Sequence, residues 1–80
     1  MKIPRDITGM ELAKALRPWG YEIVRQTGSH LRLTRQSSSE QHLTIPRHKP
    51  LKTGLLSGIL GEAAEQIGIS KAELIDQLYG

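Results

Sequence analysis

The groups in this 80-residue chain that could do chemistry are three histidines and a cluster of bases. His30 follows Gly28-Ser29 at the start of an alternating segment, and Arg47-His48-Lys49-Pro50-Leu51-Lys52 follows a second such segment that ends at Pro46. Free imidazole exchanges a proton near neutral pH, so His30 could take the proton of a ribose 2′-OH while neighbouring cations offset charge on phosphorus. That chemistry is metal-free cleavage of RNA by transesterification. A histidine at a strand start is more often a solvated or hydrogen-bonded structural residue, and a basic loop is as readily a solvated one. No metal centre is expected. Cysteine is absent, no acidic residue belongs to the cluster, and no two histidines are spaced i, i+4.

The segments that position these groups follow from pattern. Thr8-Gly9-Met10-Glu11 has the S/T-x-x-E form of a capping box and opens a helix whose stripe is Met10, Leu12, Ala13 and Leu16. Pro18 ends it, and Trp19 is expected to plug the core just beyond. Tyr21–Gln26, His30–Arg35 and Gln41–Ile45 read as three strands. Pairing Leu33 with Leu43 and Leu31 with Ile45 puts these four residues on one face and His30, Arg32, Thr34, His42 and Thr44 on the other. His30 then lies across from Pro46, with Arg47 and His48 beside it, while His42 is roughly 13 Å away along the strand. A second helix is expected to start with Thr53 as its cap, bury Leu55, Leu56, Ile59, Leu60, Ala63 and Ile67, and stop at Gly68. Ser70-Lys71-Ala72-Glu73 opens a short last helix. The expectation is an α+β fold with the helices on one face of a three-stranded antiparallel sheet and the other face open.

Composition narrows the function classes. A domain of this size, with three aromatic residues and no Phe, has little apolar volume for a pocket around a large organic cofactor, so none is expected. No apolar run exceeds two residues, which excludes a membrane-spanning helix and a secretory hydrophobic stretch; a cytoplasmic location is expected. Residues 1–52 hold ten bases and four acids, whereas residues 53–80 hold one base and four acids. A polyanion is the natural partner of the first part.

Gln26-Thr27-Gly28-Ser29-His30-Leu31-Arg32-Leu33, Leu43-Thr44-Ile45-Pro46-Arg47-His48 and Leu51-Lys52-Thr53-Gly54-Leu55-Leu56-Ser57-Gly58-Ile59-Leu60 together resemble the HicA, or YcfA-like, family of small toxins. Ile3-Pro4-Arg5-Asp6-Ile7-Thr8-Gly9 and Gly20-Tyr21 are similar to it as well. The resemblance spans most of residues 3–60. It departs at Leu55, where members often have Thr, and at Gly58, and residues 61–80 read as a C-terminal helical extension of a single domain, 1–80.

The resemblance implies a fold like that of double-stranded-RNA-binding domains and an mRNA-cleaving toxin paired with a HicB-like antitoxin. It implies His30 as the catalytic base. His48 is the candidate acid or orienting partner, and Ser29, Arg32, Arg35, Arg47, Lys49 and Lys52 are the candidate phosphate-binding residues. Two other readings stay open. One is a module that binds structured RNA without cutting it. The other is a protein-interaction domain presenting Glu62, Glu65, Glu73 and Asp76, with the C-terminal part also a candidate surface for self-association.

Overall fold

A computed structural model of the chain describes residues 3–37 and 39–80. The elements are α1 (Gly9–Ala15), a 3₁₀ turn (Arg17–Trp19), β1 (Tyr21–Gln26), β2 (His30–Gln36), β3 (Glu40–Pro46), α2 (Thr53–Ile67) and α3 (Lys71–Tyr79). This is the expected order, and the three strands form an antiparallel meander.

Local chemistry starts each helix. Glu11 N–H donates to Thr8 Oγ1 at 3.1 Å and Thr8 N–H returns a bond to Glu11 Oε1 at 3.0 Å, closing the capping box. The bond from the Thr8 backbone is the main reason the Glu11 carboxyl lies below its ordinary value. At α2 the expected cap moves by one residue. Lys52, in extended conformation, is the N-cap without a side-chain bond, and Thr53 is already helical. The shift has a tertiary cause: Leu51 is buried and its N–H donates to Ile7 O at 2.7 Å, which fixes where the chain turns into the helix. Gly68, in left-handed conformation, ends α2. Ser70 Oγ accepts from Glu73 N–H at 3.0 Å to start α3, and Lys71 Nζ bonds Ser57 Oγ, pinning α3 on α2.

Between β2 and β3 the register is the one that apolar matching demands, with Leu33 opposite Leu43, Leu31 opposite Ile45 and His30 opposite Pro46. Between β1 and β2 it breaks once. Ile23 faces Leu33 but Arg25 faces Arg32, so Val24 is the extra residue of a β-bulge.

One core cluster joins the layers. It holds Leu12 and Ala13 of α1 with Leu16 just after it, the four matched sheet residues, Leu56, Ile59, Leu60, Ala63 and Ala64 of α2, and Leu74 and Ile75 of α3. Leu55, expected on the apolar face of α2, is instead exposed in its first turn. Residues 61–67 continue α2, and Ala63 and Ala64 place that stretch in the same core. Trp19 packs against the core from a half-buried position. The aromatic that fills the interior is Tyr21, whose ring is buried and whose hydroxyl donates to Gln66 Oε1 at 2.7 Å. Helices cover one face of the sheet only, and the Cα trace measures 31 × 31 × 17 Å, the proportions of a two-layer slab.

Burial raises the Tyr21 hydroxyl above its ordinary pKa of 10.0, an effect opposed by Arg35 and reinforced by Glu62. Its contribution to stability is complete below that ordinary value and is lost as pH climbs from there through the raised value of the folded state, because the unfolded chain ionises first. Tyr21→Phe should cost about 1 kcal/mol near pH 7 through the lost bond to Gln66, and should reduce the fall in melting temperature above pH ~10. Tyr79, also raised by burial, keeps the remainder of that fall. Thermal melts of both proteins from neutral to alkaline pH check this.

Candidate functional site

His30 is the first residue of β2 and its side chain is exposed. Its Nδ1 lies 2.9 Å from Ser29 Oγ. The turn that presents it is organised by Thr27. Thr27 Oγ1 accepts from His30 N–H at 2.9 Å and from Ser29 N–H at 3.3 Å, and Thr27 N–H donates to His30 O at 2.9 Å. A threonine hydroxyl that captures backbone N–H groups two and three residues on replaces the left-handed glycine of many tight turns. Gly28 keeps a conformation open to other residues, and no atom lies within 4 Å of where its Cβ would stand. The space above the turn is therefore clear.

The basic loop is sewn to this turn. Arg47 N–H donates to Ser29 O at 2.9 Å, and Arg47 Nη1 donates to Thr27 O at 2.9 Å. On the other side, Gly9 N–H donates to His48 O at 3.1 Å. Gly9 is the only residue type that fits there, since a Cβ would stand 2.0 Å from Pro46 O. His48 and Lys49, with Thr8, Met10 and Arg47, line a small cavity of about 120 Å³.

The residues expected from sequence divide accordingly. Ser29, His30 and Arg47 come together directly through the contacts above. His48 and Lys49 follow on the same anchored loop, both exposed, and exposed Lys52 stands at the start of α2, where free backbone N–H groups and the helix dipole favour an anion. Arg32 is exposed on the open face of β2, two residues from His30.

Arg35 is a correction. Its guanidinium lies on the helix-covered side, where Nε donates to Trp19 O at 2.7 Å and Nη1 donates to Gln41 Oε1 at 2.7 Å and to Gln66 O at 3.3 Å. Strand alternation gives the reason, because position 35 shares the face of Leu31 and Leu33. His42 stands apart as expected, with Nε2 3.0 Å from Glu40 Oε1 and Nδ1 3.3 Å from Thr34 Oγ1. Among the described residues, no group of three or more His, Cys, Asp or Glu is placed to share a metal ion, and no helix is long and apolar enough to cross a membrane. Glu62, Glu65, Glu73 and Asp76 are exposed on the helices.

Two features near the site do not follow from residue pattern alone. Thr27 had a signal, since its hydroxyl precedes a Gly-Ser pair in the manner of side-chain-closed turns. The open-face position of Arg25 had none. Counted from Tyr21 and Ile23 it falls on the core face, and only the bulge at Val24 sets it opposite Arg32.

The model of one protein family, described as HicA toxin of bacterial toxin–antitoxin, matches residues 9–69. The match runs from the start of α1 through the end of α2 and takes in the turn, the loop and the whole sheet. No curated protein and no solved structure matches the chain.

If backbone contact at Gly9 holds the loop in place, Gly9→Ala should destabilise the protein by about 1–3 kcal/mol and speed amide exchange at Arg47 and Leu51. Gly28→Ala, which meets open space, should change stability by less than about 0.5 kcal/mol. Melting curves and exchange rates of the two variants give the comparison.

Proposed function

The chain belongs to the HicA toxin family of bacterial toxin–antitoxin systems, and from that premise we propose that it is an endoribonuclease that cleaves mRNA, with His30 as general base. The observation that carries the reading is the exposed imidazole of His30, held at one nitrogen by Ser29 Oγ at 2.9 Å beside an anchored basic loop. When Nδ1–H donates to Ser29 Oγ, Nε2 carries the lone pair and takes the ribose 2′-OH proton. The 2′-oxygen then attacks the adjacent phosphorus and the bond to the next nucleotide's 5′-oxygen breaks. The products are a 2′,3′-cyclic phosphate and a 5′-hydroxyl.

His48 is the candidate donor of the proton that the 5′-oxygen needs, or an orienting group beside it. Arg32, Lys49 and Lys52 hold phosphates, as do the N–H groups of Arg47 not spent on Thr27, and they offset charge on phosphorus as it builds. Proton transfer and charge neutralisation both come from the chain's own side chains, so the reaction runs without a metal ion. The site works in the cytoplasm, where mRNA is, and a HicB-like antitoxin inhibits it by covering the His30 face.

Purified protein should cut single-stranded RNA in the presence of EDTA. In His30→Ala the rate should fall by about 10²–10⁴, with the melting temperature nearly unchanged because the ring is exposed. Induction in cells should arrest growth, and the same substitution should relieve the arrest. Equal cleavage by the variant would remove His30 from the reaction. RNA bound intact by the wild-type protein would leave a binding module instead.

A further inference from the structure

On the open side of the sheet two arginines face each other. Arg25 and Arg32 are direct cross-strand partners, and both are exposed. Like charges opposite each other on neighbouring strands destabilise a sheet. No carboxylate is in direct contact with this pair: Glu22 shares the face, opposite Thr34, but among the described residues neither guanidinium makes a hydrogen bond or an ion pair, and the His42–Glu40 pair lies at the other end of the face.

The geometry that creates this contact is the bulge at Val24. Without the extra residue Arg25 would follow Tyr21 and Ile23 onto the helix-covered face. Bulges next to functional sites commonly re-aim one side chain, and the one re-aimed here is a cation set against another cation. His30 lies on the same face, two residues from Arg32, a separation of about 7 Å along the strand. A cost of this kind in the free protein is offset when an anion enters between the two groups.

We infer that Arg25 and Arg32 form a two-guanidinium clamp for an RNA phosphodiester next to the one that His30 acts on. The inference rests on the proposed ribonuclease reading and adds Arg25 to its site. Guanidinium groups suit this task because each offers paired N–H donors that match the oxygens of a phosphate. The clamp extends the cationic surface from the anchored loop across β2 to the edge strand β1, so it sets the direction in which an RNA strand crosses the sheet.

The test uses His30→Ala as the parent protein, so that the strand stays whole, and a labelled single-stranded oligoribonucleotide titrated over a range of KCl concentrations. Adding Arg25→Gln should weaken binding about tenfold. It should also lower the slope of log affinity against log salt by about 0.7, the contribution of one phosphate contact on a single strand. The melting temperature should hold or rise, since the repulsion is relieved.

Arg17→Gln removes an exposed charge from the 3₁₀ turn instead and should leave affinity nearly unchanged. Unaltered affinity and slope in Arg25→Gln, or an equal loss in Arg17→Gln, would overturn the clamp while leaving the ribonuclease reading intact. If Arg25→Gln kept its RNA affinity but lost that for a HicB-like antitoxin, the pair would be a carboxylate-binding contact for a protein. Absence of RNA binding by the parent and by the wild-type protein would remove both the clamp and the reading beneath it.

Discussion

The site depends on the backbone bonds that hold the segment after β3 against the β1–β2 turn. Arg47 N–H on Ser29 O continues the β2–β3 pairing by one step beyond the strands, and the Arg47 side chain reaches across to Thr27 O. Gly9 and Ile7 grip the same segment from the other side through His48 O and Leu51 N–H. Each bond near solvent contributes only about 1 kcal/mol. Acting on Arg47, His48 and Leu51 from two sides, they limit the freedom of the chain between Pro46 and Lys52, so an otherwise ordinary basic loop becomes a fixed neighbour of His30.

That arrangement presupposes the strand register. A one-residue slip between β2 and β3 would turn His30 and Arg32 toward the helices and expose Leu31 and Leu33. The same apolar contacts that stabilise the sheet therefore decide which face presents His30 and Arg32. Bases spent on structure lie elsewhere: Arg35 ties the 3₁₀ turn, β3 and α2 together, and Lys71 joins α3 to α2. Arg25 and Arg32 are left exposed on the open face and Arg47, His48, Lys49 and Lys52 on the loop beside it, while Glu40 and His42 satisfy each other at the far end of that face.

Much of this was legible in the residue order, for physical reasons that can be named. Leu31, Leu33, Leu43 and Ile45 alternate without interruption, so one register alone buries all four, and it puts His30 opposite Pro46. The Thr8–Glu11 capping box is a local interaction, complete within four residues. What stayed hidden depended on distant contacts. Thr53 looks like a cap until Leu51 is anchored to Ile7; Arg35 looks like a free base until Trp19 and Gln66 present their carbonyls. Arg25 looks like a core-side position until the bulge is seen, and nothing in Val24-Arg25 announces one. Tyr21, read only as a strand residue, fills the place in the core that a phenylalanine would otherwise take.

The central claim is that the reaction starts at a ribose hydroxyl deprotonated by an uncovered imidazole. Its most direct test is an oligoribonucleotide that the protein cuts, resynthesised with a single 2′-deoxy sugar on the 5′ side of the cut bond. Cleavage at that bond should disappear while neighbouring cuts persist, and the unsubstituted strand should yield a 2′,3′-cyclic phosphate end. Undiminished cutting at the deoxy position, or products with a 5′-phosphate, would contradict the account.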